Sequence, residues 1–237
     1  AVLLYTSGTT GRPKGVMLTH GNLCANAMNI KNTAGDSDRG DTSLAVLPLS
    51  HSYGLGLLVS GYVSDRTGKT ILLRWFDLES VFRSLEKYKI ANMAGVPTMY
   101  IYMLHYPDAD KYDVSSMKNW LVGAAPMSPV TLKQFEEKFG GEMYVAYGLS
   151  EASPGVASER DTFPRRTGSV GKPMCGGEVK IVDENDNELP PSAVGEIVCR
   201  GGNVMKGYYK MPEQTEEALR GGWLHTGDIG SFDSDGY

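Results

Sequence analysis

Between residues 1 and about 150, short apolar runs alternate with helical patterns, and this alternation constrains the fold more than any other feature. The strand candidates are Val2–Thr6, Ser43–Leu47, Lys69–Leu73, Ile90–Gly95, Asn119–Val122 and Glu142–Tyr147. Each is a few residues long and mostly apolar, as a strand covered on both faces requires. After Asp77, a residue able to cap a helix, Leu78, Val81, Phe82 and Leu85 recur at i, i+3, i+4 and i+7 and form one apolar face. A second helix is expected from Pro97 to about His105. A third is expected after Ser128 and Pro129, with Leu132, Phe135 and Phe139 inward and Gly140 as its stop. The pattern predicts an α/β fold with a doubly wound, mostly parallel sheet, whose ligands lie beyond the carboxyl ends of the strands.

From about Arg165 glycine and proline become frequent and helical periodicity is lost. Alternating runs such as Glu178–Asp183 and Glu196–Arg200 predict a small antiparallel, barrel-like subdomain over 165–237, with one short helix at Pro212–Leu219. Residues 1–164 form the α/β core in this division.

Composition bounds the partners. With 23 Lys and Arg against 28 Asp and Glu, the net charge is -5, and no dense basic patch points to nucleic acid. Cys24, Cys175 and Cys199 are widely spaced and lack a C-x-x-C pattern, which fits free thiols of a cytoplasmic protein. His20, His105 and His225 have no metal-ligand spacing. No apolar run approaches the ~18 residues of a membrane span, and peripheral membrane contact stays compatible with the sequence.

The densest chemical signal is Tyr5-Thr6-Ser7-Gly8-Thr9-Thr10-Gly11-Arg12-Pro13-Lys14-Gly15, directly after a strand. Glycines permit close backbone approach, hydroxyls and free N–H groups can cradle anionic oxygens, and Lys14 adds a mobile positive charge. A triphosphate loop between a strand and a helix is expected. It is not a Walker loop, because Lys14 is flanked by Pro13 and Gly15 and no Gly-Lys-Ser/Thr occurs there. Taken alone, Tyr147 reads more readily as a packed core tyrosine and Glu151 as a solvated surface carboxylate, and Asp228 reads also as an Asx turn beside Gly227.

The loop resembles the signature of the adenylate-forming superfamily, which includes acyl-CoA synthetases, luciferases and peptide-synthetase adenylation domains. Four later segments are similar to that family and follow its order: Leu47-Pro48-Leu49-Ser50-His51, Gly123-Ala124-Ala125-Pro126, Tyr147-Gly148-Leu149-Ser150-Glu151, and Trp223-Leu224-His225-Thr226-Gly227-Asp228. The resemblance implies that Thr6, Ser7, Gly8, Thr9, Thr10, Gly11 and Lys14 handle the phosphates of ATP. It implies that Gly123, Ala124, Ala125, Pro126, Tyr147, Gly148 and Ser150 line the AMP site, with Tyr147 stacked on adenine and Asp228 accepting the ribose hydroxyls. Glu151, with Thr6, would hold Mg2+, and His51 would gate the entering carboxylate. Lys14, His51 and Glu151 are then the residues nearest the chemistry.

The implied reaction has two halves. A carboxylate oxygen attacks the α-phosphorus of ATP and releases pyrophosphate, leaving an acyl-adenylate. The thiol of CoA then attacks the acyl carbon and displaces AMP. Positioning and charge neutralisation dominate such phosphoryl chemistry. Peptide-synthetase domains carry an Asp in the segment where this chain has His51-Ser52-Tyr53-Gly54, so an α-amino acid substrate is disfavoured. Ala94-Gly95-Val96-Pro97-Thr98-Met99-Tyr100 resembles fatty acyl-CoA synthetases, and the pocket candidates Gly54–Val59 and Met93–Met99 are apolar. A fatty acid is the first expectation and an aromatic acid the second. The chain opens inside a strand-like run and stops on a turn signal, which reads as a core fragment without the family's C-terminal lysine domain. Weak ATP binding, slow turnover and self-association, as in a homodimer, are expected of such a piece. A nucleotide-binding module without catalysis, or a scaffold that keeps only the fold, remain open as other classes.

Overall fold

The computed structural model describes residues 1–6, 13–34, 40–63 and 68–237. In chain order its elements begin with β1 (Val2–Thr6), β2 (Lys14–Leu18), α1 (His20–Ala34), β3 (Thr42–Ala45), α2 (Ser52–Val63) and β4 (Lys69–Leu72). There follow α3 (Leu78–Tyr88), β5 (Asn92–Gly95), α4 (Pro97–Leu104), β6 (Asn119–Val122), α5 (Pro129–Phe139), β7 (Glu142–Gly148) and β8 (Gly155–Ser158). The last are β9 (Lys172–Pro173), β10 (Gly177–Val182), β11 (Gly195–Gly201), β12 (Gly207–Tyr208), α6 (Pro212–Ala218) and β13 (Leu224–Gly230).

A seven-stranded sheet of order β4-β3-β5-β6-β7-β8-β9 holds the expected alternation. β4, β3, β5, β6 and β7 run parallel, and β8 and β9 close one edge antiparallel. The chain steps from β3 outward to β4, then returns to β5 on the other side of β3. The strand order therefore reverses between β3 and β5, the position beyond whose carboxyl ends the ligands of such sheets sit. Among the described residues no helix is long and apolar enough to cross a membrane.

α3, α4, α5 and α6 form where the sequence places them. Asp77 caps α3 by accepting the Ser80 N–H at 2.8 Å, and Val81, Phe82 and Leu85 are fully buried. α5 starts at Pro129 after an extended Ser128, whose side chain makes no capping bond, and ends at Gly140 with φ 67°. Phe135, Phe139, Tyr100 and Trp120 meet Phe82 and Met143 in one core beside the parallel sheet. Asp77→Ala is expected to lower unfolding stability by about 1 kcal/mol, read from a denaturant melt, because one orphan donor of the first turn loses its acceptor.

Three departures from the sequence expectation have physical reasons. Val2–Thr6 is a strand, but it pairs antiparallel with β2 rather than joining the parallel sheet. The segment after the glycine-rich loop is β2 rather than a helix: Gly15, Val16 and Leu18 are buried, and a strand lets β12 pair on its other side. α1 then starts after Thr19, whose Oγ1 accepts the Asn22 N–H while Asn22 Oδ1 accepts the Thr19 N–H, a reciprocal cap. Strands from beyond Arg165 also enter all three sheets: β9 the large one, β12 the sheet β1-β2-β12, and β10, β11 and β13 the sheet β10-β11-β13. A second core unites Val16 and Leu18 with Leu23, Val156, Cys199, Met205 and Leu224.

Candidate nucleotide site

The ends of the glycine-rich loop are fixed by strand register. Thr6 closes β1 and lies opposite Lys14, the first residue of β2. Ser7, Gly8, Thr9, Thr10 and Gly11 lie outside the described residues. Lys14 is half-buried, and its Nζ sits 4.9 Å from the ring centroid of Tyr208.

Three of the singled-out segments follow carboxyl ends of parallel strands: Leu47–His51 after β3, Gly123–Pro126 after β6, and Leu149–Glu151 after β7. Gly123 is buried, and a Cβ there would press on the Ala146 carbonyl at 3.2 Å and the Tyr53 ring at 3.4 Å. Ala124, with φ 68°, then turns the chain outward through the exposed Ala125 and Pro126. At Gly148 a Cβ would stand 2.0 Å from the Pro154 carbonyl, so only glycine fits where β7 folds back into β8.

Ser150 and Glu151 open a single 3₁₀ turn. The Ser150 hydroxyl lies 3.1 Å from that of buried Ser52, which joins this turn to the start of α2. Glu151 is half-buried, and its Oε1 accepts the Tyr208 hydroxyl at 2.9 Å. His51 sits exposed at the head of α2, where its Nδ1 accepts the Tyr53 N–H at 3.2 Å and its carbonyl accepts the Leu55 N–H. Gly54 and Gly56, within the expected acyl pocket, pack tightly on Pro48 and Pro154.

Asp228 stands on a bulge. The β11–β13 register runs Glu196 to Ile229 and Val198 to His225, so residues between His225 and Ile229 are pushed out of the ladder. Glu196 pins that bulge: its Oε1 accepts the Gly227 N–H at 2.9 Å, and its Oε2 lies 2.8 Å from His225 Nδ1. Burial alone would raise the Glu196 carboxyl, but these bonds and the nearby Arg220 charge outweigh it and hold it below its ordinary range. Asp228 is exposed, and its Oδ2 accepts the Tyr147 hydroxyl at 2.6 Å. Burial, followed by that hydrogen bond, pushes the Tyr147 phenol well above its ordinary value, so it remains a donor at neutral pH.

Two linked pairs thus emerge, Lys14 and Glu151 through Tyr208, and Tyr147 with Asp228. The family model for AMP-binding enzymes matches residues 1–209. The chain belongs to the AMP-binding enzyme family. Among AMP-binding relatives, a long-chain-fatty-acid–CoA ligase of Bacillus subtilis (strain 168) is 42% identical over 240 residues, covering 100% of this chain and 42% of that protein. A feruloyl-CoA synthase of Amycolatopsis sp is 38% identical over 237 residues, covering 100% of this chain and 48% of that protein. The solved structure of o-succinylbenzoate coenzyme A synthetase from Bacillus subtilis, in complex with ATP and magnesium ion, superposes with a TM-score of 0.86 at 31% identity. It aligns with 99% of this chain, which covers 48% of that structure. The chain therefore spans less than half the length of these relatives.

Reading the sequence alone misses Ser52, Glu196 and Tyr208. Each reaches the site through a partner 31 to 98 residues away, and spacing carries no signal for such a pairing. Gly207-Tyr208-Tyr209, where a glycine precedes two aromatics, is the one local hint.

Proposed function

We propose that the chain is the nucleotide-binding core of an AMP-forming acid–CoA ligase, which activates a carboxylic acid with ATP and passes the acyl group to the CoA thiol. The observation that carries this reading is the 2.6 Å bond between Tyr147 and Asp228, which brings the expected adenine platform to the expected ribose acceptor across 81 residues. In this reading residues 1–164 form the core and 165–237 the β-rich subdomain that supplies Asp228.

Each residue then has one task. Lys14 places positive charge against the phosphates, together with the backbone N–H groups of the loop. The Tyr147 ring stacks on adenine, and Gly148 leaves room for the base. Asp228, held outward by Glu196 and Thr226, accepts the ribose hydroxyls. Thr6 and Glu151 would hold Mg2+, which when bound supplies further neutralisation of the phosphates. The donor set fits that ion: magnesium is commonly held by one or two carboxylates, with phosphate oxygens and waters completing the shell. Among the described residues no cluster of three or more metal-binding side chains competes with this arrangement. His51, between β3 and the start of α2, gates the carboxylate.

A fatty acid is the preferred substrate, supported by the identity to the long-chain ligase. The feruloyl-CoA relative supports an aromatic acid as the second reading. Exposed Leu72 and Trp75, at and just after β4, an edge strand of the sheet among the described residues, support self-association. Acyl sulfamoyl adenosines, stable mimics of an acyl-adenylate, test the substrate class by thermal shift. A fatty-acyl mimic is expected to bind roughly 10-fold or more tighter than an aminoacyl mimic, in line with an apolar pocket that has no carboxylate for an ammonium group. Equal binding of fatty-acyl and aminoacyl mimics would overturn the substrate assignment.

A further inference from the structure

We propose that Tyr208 is the positioning residue that sets the Glu151 carboxylate for its cation and holds the Lys14 ammonium beside it. This role rests on the reading of Lys14 and Glu151 given above. Tyr208 is 7% exposed, yet both of its functional faces are engaged. Its hydroxyl donates to Glu151 Oε1 at 2.9 Å, and its ring carries Lys14 Nζ at 4.9 Å.

The backbone around it is tied on both sides. Toward β2, the Lys206 N–H donates to the Met17 carbonyl at 3.0 Å and the Tyr209 N–H to the Gly15 carbonyl at 2.8 Å. Toward the Glu151 turn, the Met205 N–H donates to the Glu151 carbonyl at 2.7 Å. Asn203 Nδ2 donates to the carbonyls of Ala152 and Gly155 at 2.9 and 2.8 Å. Thr215 Oγ1 accepts the Tyr208 N–H at 2.8 Å and fixes the residue itself. One short segment, 203–209, therefore spans the strand that bears Lys14 and the turn that bears Glu151.

The chemistry suits tyrosine. A cationic and an anionic side chain in direct contact would neutralise each other. A neutral ring under the ammonium and a hydroxyl on the carboxylate engage both charges and leave both available to a ligand.

The test separates ring from hydroxyl. ATP affinity is measured for the wild type, Tyr208→Phe, Tyr208→Leu and Glu151→Gln, in saturating magnesium and in EDTA. Tyr208→Phe keeps the ring, so it is expected to bind ATP ~10-fold more weakly in magnesium and within ~2-fold of wild type in EDTA. Tyr208→Leu is expected to bind more weakly in both media. Tyr208→Phe on top of Glu151→Gln is expected to cost nothing further. A Tyr208→Phe protein that matches wild type in magnesium, or weakens equally in both media, overturns the Tyr208 role while a loss of magnesium dependence in Glu151→Gln keeps the reading beneath it. Unchanged magnesium dependence in Glu151→Gln removes that reading, and the Tyr208 role falls with it.

Discussion

Trp120→Ala is expected to destabilise the protein by about 3–5 kcal/mol. Trp120 is fully buried at the middle of the parallel sheet. Its ring meets Phe135 edge-on at 4.9 Å and Tyr100 edge-on at 6.0 Å, and it meets Phe139 at 6.5 Å. Its indole N–H donates to the Gly140 carbonyl at 2.9 Å, which ties β6 to the end of α5. Alanine would leave a cavity between two layers that cannot collapse, and would strand that carbonyl. A domain holds only about 5–15 kcal/mol in all, so roughly a fifth or more of its stability would go. Trp75 is the internal control: it is 63% exposed, with the Arg74 guanidinium over its ring. Trp75→Ala should stay within about 1 kcal/mol of wild type. Chemical denaturation compares the two, and equal midpoints for both variants would contradict the placement of Trp120 at the centre of the core.

The second large effect is on ligand affinity. Asp228 is exposed, so Asp228→Ala should leave the melting midpoint nearly unchanged. A carboxylate that accepts two ribose hydroxyls contributes about 3 kcal/mol, which corresponds to roughly 100-fold in ATP affinity. Lys14→Ala should also weaken binding, by a different route. The half-buried ammonium acts through charge, so its effect should shrink as salt rises from low to near-molar. The Asp228 effect is short-ranged and should persist. A salt-sensitive loss for Lys14→Ala beside a salt-insensitive loss for Asp228→Ala distinguishes a phosphate contact from a ribose contact.

Much of this architecture was legible in the chain because it is local. The α3 face and its Asp77 cap, the Pro129 start and Gly140 stop of α5, and the strand at Asn119–Val122 are written in periodicity and punctuation within a dozen residues. The position of the motif segments beyond strand ends followed from the alternation itself. What was not legible depends on distant partners. β2 becomes a strand because β1 and β12 flank it, and β12 lies 190 residues away. α1 is obscured because Asn26 and Thr33 point inward, where Asn26 Oδ1 accepts the Gly155 N–H and Thr33 Oγ1 accepts the Cys175 N–H. Buried polar residues erase the apolar stripe on which helix recognition relies. The same applies to the site: the roles proposed for Tyr147, Glu151 and Asp228 rest on a family likeness, whereas Tyr208 and Glu196 become visible only with the β12 and β11 strands beside them.

The most direct measurement is a calorimetric titration of MgATP into the chain and into its Lys14→Ala and Asp228→Ala variants. The expected result is saturable heat for the wild type and weaker binding in both variants, with all three melting at similar temperatures. Absence of heat for the wild type at millimolar ATP, or variants that bind as tightly as the wild type, would contradict the placement of triphosphate at Lys14 and ribose at Asp228.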